Sequence, residues 1–225
     1  MGRIAAIHQP NFLPYPGVFH KFNVADRIIF LTDVEYTKGG FINRNKILTP
    51  QGVQWLTVPV QTKNNMIIQD VWIAEDLKKI EKTLHHNYSK APFYDKVMNG
   101  PLRNIGDAGG YLWMFNTILI LEILRYLNRQ KDVYFSSDLN IEGKSTEKII
   151  NICRKVGCDT YISGLGAKKY LDTEAFRKNN IKLIFDNYKN MEYSQLWADM
   201  FVPDLSIVDM LFNCGSKKTV SLLRK

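Results

Sequence analysis

Ile7-His8-Gln9-Pro10-Asn11-Phe12-Leu13-Pro14-Tyr15-Pro16-Gly17-Val18-Phe19-His20-Lys21 is the stretch from which the fold is read. The apolar residues Ile4, Ala5, Ala6 and Ile7 run into it as a strand, and Val18 to Ala25 leave it as a helix. Pro10, Pro14, Pro16 and Gly17 hold the backbone at low entropic cost, so the polar side chains between them are presented in one geometry. Open α/β sheets place ligands where a strand ends in such a turn and enters a helix, because the first N–H groups of the helix lack partners within it. Arg27 to Asp33 is a second compact apolar run with a polar end. Strand, helix and strand then form a βαβ unit, with parallel strands and a right-handed crossover.

Outward from that unit, Val34 to Asn45 is rich in Gly, Asn, Lys and Tyr and reads as a loop. Lys46–Leu48 and Val53–Val60 flank the turn Thr49-Pro50-Gln51-Gly52, which predicts a β-hairpin, and Ile67 to Ile73 adds an extended piece. From Asp76, a suitable N-cap, Leu77, Ile80 and Leu84 recur at helical spacing. Residues 76–128 read as a helical insertion or small lobe, with the most apolar helix over Tyr111 to Asn128. Strands at Val133–Ser136, Asp159–Ser163 and Lys182–Phe185 alternate with helices over Lys144–Val156 and through Phe176. A last short helix, Ser206–Phe212, ends at Cys214-Gly215, where glycine can take a left-handed cap. The expectation is one α/β domain, 1–225, built on a parallel sheet.

Composition narrows the classes. The four apolar residues before His8 are too few for a secretory signal, and Ala6 breaks a myristoylation motif. The longest apolar stretch, Tyr111 to Leu124, is interrupted by Asn116, Thr117 and Glu122 and is shorter than the roughly 20 residues that span a bilayer. No membrane span and a cytoplasmic location are expected. The three cysteines have no metal-ligand spacing and suit a reducing compartment. A formal charge of +8 attracts anions, but the basic residues are dispersed and carry no nucleic-acid-binding signature. A phosphate-bearing small molecule explains the excess as well as a polynucleotide does, so no nucleic-acid partner is expected, and the oligomeric state stays open.

Several groups could carry chemistry. His8 at the end of the first strand and His20 at the start of the following helix can both donate to developing phosphate charge, with Lys21 beside them. The plainer alternative makes His8 a strand cap and His20 a surface residue. Gln9, Asn11 and Tyr15 stand in the same turn. Asp33 ends the second strand, and its loop offers Glu35, Lys38, Asn43, Arg44 and Asn45, which suit a ribose, an amine or a phosphate, or simply a solvated loop. Ser163-Gly164-Leu165-Gly166-Ala167-Lys168 follows a strand and opens a helix, and its glycines would let backbone N–H groups approach an anion. It lacks the remaining glycine of a dinucleotide fingerprint and the spacing of a P-loop. No Gly-x-Ser-x-Gly elbow is present, which disfavours a serine hydrolase.

The chain resembles the WbqC-like family. The resemblance rests on His8–Gly17, on Asp33–Lys38 with Phe41–Asn45, on Trp55–Val60, on Ile162–Leu171 and on Leu205–Gly215. It implies work on a nucleotide sugar in surface-polysaccharide biosynthesis of the O-antigen type, with aminoacyl transfer, including glycine, to amino sugars in some members. The strand, histidine-bearing turn and helix are also similar to the HIGH-type nucleotidyltransferases, although here His8 precedes the turn and Lys21 follows His20. Together these imply a Rossmann-like enzyme that transfers an aminoacyl or acyl group to a nucleotide-linked amino sugar, with ATP and Mg as the cofactor expectation. His8, His20 and Asp33 are the catalytic candidates. A nucleotidyltransferase acting on a phosphorylated sugar and a non-catalytic nucleotide-sugar binder are the alternatives.

Overall fold

Five parallel strands form the sheet that positions the candidate site. The computed structural model describes residues 2–107 and 109–224. The sheet comprises β1 (Ile4–His8), β2 (Arg27–Phe30), β7 (Asp132–Phe135), β8 (Thr160–Gly164) and β9 (Lys182–Asp186), in the order β7-β2-β1-β8-β9. Helix α1 (Pro16–Val24) joins β1 to β2, α5 (Ser145–Lys155) joins β7 to β8, and α6 (Thr173–Lys178) joins β8 to β9. From β1 the chain steps to β2 and on to β7, then crosses back to the other side of β1 for β8 and β9. This is a Rossmann-like order, and it reverses between β1 and β8.

Strand periodicity explains which side chains meet. Successive residues point to opposite faces, so Ala5, Ile7 and Ile29 share one face and Ala6, His8, Ile28 and Phe30 the other. The first set packs with Ile150 and Cys153 of α5, Val156 just beyond it and Phe176 of α6, and Tyr161 stacks on Phe176 at 5.7 Å. On the second face His8 meets Phe22 of α1 edge-on at 6.1 Å, and Phe22 meets Phe30 at 6.0 Å. His8 therefore leaves β1 on the α1 side, half-buried.

The chain divides into two compact units. Met1–Gln9, His20–Asp33 and Lys131–Lys189 form the sheet unit, and Pro10–Phe19, Val34–Gln130 and Asn190–Lys225 the other. The second unit holds the expected hairpin, β3 (Arg44–Thr49) paired antiparallel with β4 (Gly52–Thr57), and a second pair, β5 (Val60–Gln61) with β6 (Trp72–Ile73). The stretch expected to be extended over 67–73 is shorter than that, because a 3-10 turn occupies Ile68–Asp70. Helices α2 (Lys78–Tyr88), α3 (Tyr94–Met98), α4 (Leu112–Tyr126) and α7 (Ile207–Leu222) complete the unit. Asp76 is not the N-cap of α2: that position falls to Leu77, and the Asp76 carboxylate one residue earlier accepts from Lys78 N at 2.6 Å. The last helix corrects the sequence reading: it does not end at Gly215 but kinks there (φ 64°) and continues to Leu222. A Cβ at Gly215 would lie 2.5 Å from the Phe93 ring, so the same residue permits both the kink and the close approach of Phe93.

The second unit is tied together by a buried carboxylate. Asp209 of α7 is fully buried and accepts from Tyr88 at 2.8 Å, Tyr193 at 2.9 Å and Gln195 at 3.1 Å. Burial pushes its carboxyl above the usual range, and the hydrogen bonds oppose that shift. Tyr88 in turn accepts from Leu48 N at 3.0 Å, so α2, β3 and α7 share one network. Asp209→Ala would leave two buried hydroxyls and one N–H of the Gln195 amide without an acceptor, the other donating to Val202 O. The expected loss is about 3 kcal/mol or more of unfolding free energy in urea titrations.

Candidate active site at the carboxyl end of the parallel sheet

His8, Lys21, His20 and Asp186 form one linked set within the sheet unit. Lys21 Nζ lies 3.2 Å from His8 Nδ1, and Lys21 is 5 % exposed. A protonated lysine can only donate, so His8 Nδ1 is the acceptor and the proton of its neutral ring sits on Nε2. Burial and the neighbouring Lys21 charge both hold His8 well below the usual imidazole range, which keeps that ring neutral. Burial also lowers Lys21 to about 8, while Asp186 opposes the shift. His8 is thus a fixed neutral donor through Nε2, backed by a buried cation.

His20 is oriented from the far side of the sheet. Its Nδ1 lies 2.9 Å from Asp186 Oδ1, a close contact that does not meet hydrogen-bond geometry. Asp186 is the last residue of β9, and the same oxygen accepts from Tyr188 N at 3.2 Å, which locks the carboxylate in a local turn. The Tyr188 ring packs against His20 at 5.3 Å. With Nδ1 turned to a carboxylate, Nε2 is the nitrogen left for ligand chemistry. Asp186 and Tyr188 were not singled out from the sequence. The available signal was an aspartate directly following the apolar run Lys182–Phe185.

The location is chemically meaningful. His8 and Gly164 end β1 and β8, the adjacent strands between which the order reverses, and Gly164 pairs with Asp186 of β9. Ligands of open α/β sheets bind in the crevice outside the strand ends at this switch point. Gly164 and Gly166 have open space where a Cβ would stand. Neither has the positive φ that would demand glycine, so a side chain is excluded there by nothing in the fold. The turn beginning at Leu165 is a 3-10 turn over Leu165–Lys169, and α6 begins only at Thr173. The glycines therefore do not open an α-helix as their sequence predicted. Lys168 is exposed, whereas Ser163 is buried, with its hydroxyl 3.5 Å from Gly164 O. Gln9 is half-buried just beyond β1.

Asp33 belongs to a neighbouring clasp. Its carboxylate accepts from Ser136 and pairs with Lys148 Nζ at 2.6 Å, while Thr32 N donates to Ser136 Oγ at 3.0 Å. Burial raises the Asp33 carboxyl, but the bonds from Lys148 and Ser136 outweigh it and hold it below the usual range. Both oxygens are thus engaged, and the group joins the ends of β2 and β7 to α5.

The other candidates lie in the second unit. Asn45 donates to Phe12 O at 3.3 Å and Leu13 O at 2.7 Å, and accepts from Lys46 N at 2.8 Å. Ser206 also donates to Leu13 O, at 2.7 Å. These bonds hold Leu13 in a left-handed conformation (φ 41°) within the proline turn. Asn43 donates to Val58 O at 3.0 Å. Arg44 donates to Gly39 O and lies 4.2 Å over the Trp55 ring. Glu35 bridges to Ile67, Lys38 is exposed, Asn11 is half-buried, and the Tyr15 ring covers Gly17. Asn45 in particular is occupied in shaping the turn.

A model of the WbqC-like protein family matches residues 9–221. The chain belongs to this family. The uncharacterized protein Rv1507c of Mycobacterium tuberculosis (strain ATCC 25618 / H37Rv) is 32% identical to this WbqC-like chain over 219 residues, covering 94% of each. No solved structure matches it. Among the described residues, no helix is long and apolar enough to cross a membrane, and no group of three His, Cys, Asp or Glu is placed to hold a metal ion. Cys153, Cys158 and Cys214 are buried free thiols, with Cys153 pushed up to about 12 and Cys214 to about 11 by burial.

The buried lysine gives a signature in pH. Unfolded, Lys21 binds its proton up to about 10.5; folded, only up to about 8. Between those values the unfolded chain holds more protons, so stability contributed at this position rises with pH by up to about 3 kcal/mol. Urea unfolding of the wild type and Lys21→Met at pH 7.5 and 10 checks this. The wild type is expected to gain relative to the variant at the higher pH.

Proposed function

We propose that this protein transfers an acyl or aminoacyl group to the amine of a nucleotide-linked amino sugar, in the biosynthesis of a surface polysaccharide. The observation that carries the reading is the pairing of a fixed neutral donor, His8 backed by Lys21, with a carboxylate-oriented imidazole, His20 with Asp186, at the switch point of a Rossmann-like sheet. Amide formation from an activated acid needs these two functions: a base for the attacking amine and a stabiliser for the departing oxyanion.

The acyl donor enters as a mixed anhydride, for which ATP is the co-substrate. The carboxylate attacks the α-phosphate of ATP and pyrophosphate leaves. The sugar amine then attacks the acyl carbon, the new C–N bond forms, and the bond from that carbon to the phosphate oxygen breaks, releasing AMP. His20 Nε2 takes the proton lost by the nitrogen. His8 Nε2–H donates to the phosphate charge that develops, with the buried Lys21 cation behind its ring, and the open backbone at Gly164 and Gly166 leaves room for phosphate oxygens. A magnesium ion would be carried mainly by the nucleotide phosphates, as that ion usually is at such sites. Asp33 supports the strand ends in this scheme, because Ser136 and Lys148 already occupy its oxygens.

Purified protein incubated with ATP, glycine or another amino acid, and a UDP-linked amino sugar tests the reading. The expected products are AMP, pyrophosphate and an amide of the summed mass. His20→Ala should lower the rate by about 100-fold or more. No turnover, together with no thermal shift from ATP or the nucleotide sugar, sinks the proposal. The same strand order favours a nucleotidyltransferase as a second reading. Pyrophosphate release that requires a sugar phosphate and no amine would select it.

A further inference from the structure

The second unit carries a cleft of about 460 Å³ that has no part in the chemistry above. It runs along α4, with Phe115 and Leu119 buried beneath and Met114 and Ile118 exposed along its side. Among its lining residues Trp72 and Tyr111 stand nearly perpendicular, 79° apart with ring centroids at 4.8 Å, and both residues are more than 40 % exposed. Their positions are set by backbone pairing. Trp72 and Tyr111 form an antiparallel bridge, Ile73 N donates to Gly110 O and Leu112 N to Val71 O, each at 2.9 Å. Arg103, Asn104, Asp107 and Glu122 are the other polar side chains of the lining.

We infer that this cleft is a carbohydrate-binding site that takes a pyranose ring against Trp72 and Tyr111. A pyranose has an apolar C–H face and a rim of hydroxyls. It therefore needs what the cleft supplies together: exposed aromatic surface and planar polar side chains that can donate and accept. The aromatic corner is held by main-chain hydrogen bonds before any ligand arrives, so little ordering entropy is lost on binding. An alkyl chain is a poorer match, because it would strip water from Arg103, Asn104 and Glu122 and return no hydrogen bond. The site goes beyond the acyl-transfer reading and does not rest on it. Its probes carry neither nucleotide nor acyl group, so either proposal can fail alone.

The probe is the trisaccharide of N-acetylglucosamine, followed through the tryptophan indole N–H signals in ¹H–¹⁵N spectra. The Trp72 signal is expected to move and saturate, with a Kd of about 1 mM or tighter. Trp72→Ala should weaken binding about tenfold or more, by calorimetry or competition, and Trp55→Ala should leave it unchanged. Ile118→Lys changes only an exposed wall of the cleft and should also weaken binding, which guards against misfolding of the first variant. Four results overturn the inference: no shift at about 20 mM trisaccharide; equal binding by Trp72→Ala; decanoate occupying the cleft while the sugar does not; or a concentration-dependent dimer that buries Trp72.

Discussion

β1 is paired on both sides by parallel strands, and that constraint organises the sheet unit. Its backbone donors and acceptors are spent in two ladders, with β2 and with β8. It has no edge from which to recruit a ligand, so recognition falls to the side chains and turns beyond its carboxyl end. His8 is the last residue of that strand, and strand parity turns it toward α1. There it meets Lys21 in the core, where an ammonium and an imidazole determine each other's protonation. The chemistry of the site thus follows from where the central strand stops.

The two histidines become chemically different although they come from one short stretch. His8 packs against a buried cation and is held neutral, with Nε2 carrying hydrogen. His20 faces a carboxylate instead, with Nδ1 turned to Asp186. Groups that share a residue type but are driven to opposite roles by their surroundings are a frequent basis of acid–base assignment in enzymes. A similar division separates the aspartates. Asp33 is saturated by Ser136 and Lys148, whereas Asp186 is aimed at an imidazole.

Much of the polarity of the proline turn and its following loop goes to architecture. Asn45 and Ser206 both spend donors on Leu13 O, and they hold a non-glycine residue at positive φ. Such a conformation costs of order 1–3 kcal/mol and persists only where the surroundings over-determine it. A polar-rich loop in a sequence is therefore compatible with two uses, binding a ligand or shaping the backbone. Composition does not separate them, because both need the same amides and hydroxyls.

The βαβ start, the hairpin and the alternation of strands and helices were legible in the residue order, because hydrophobic period and Pro/Gly punctuation are local signals. The family resemblance was legible on the same blocks of residues. His8, His20 and Lys21 could be marked as a group because they lie within thirteen residues of each other. The partner of His20 could not, since Asp186 lies at the far end of the sheet unit and nears it only through the strand order. Nor could the fate of Asp33, which depends on Ser136 and Lys148 more than a hundred residues away. The continuation of α7 past Gly215 was likewise hidden, because a glycine that ends a helix and one that kinks it look the same until Phe93 is packed against it. Sequence determined the elements and the residue types available at the strand ends. Tertiary structure decided which charges face one another, and with that which nitrogen carries the proton, because strand order and burial are properties of the whole chain.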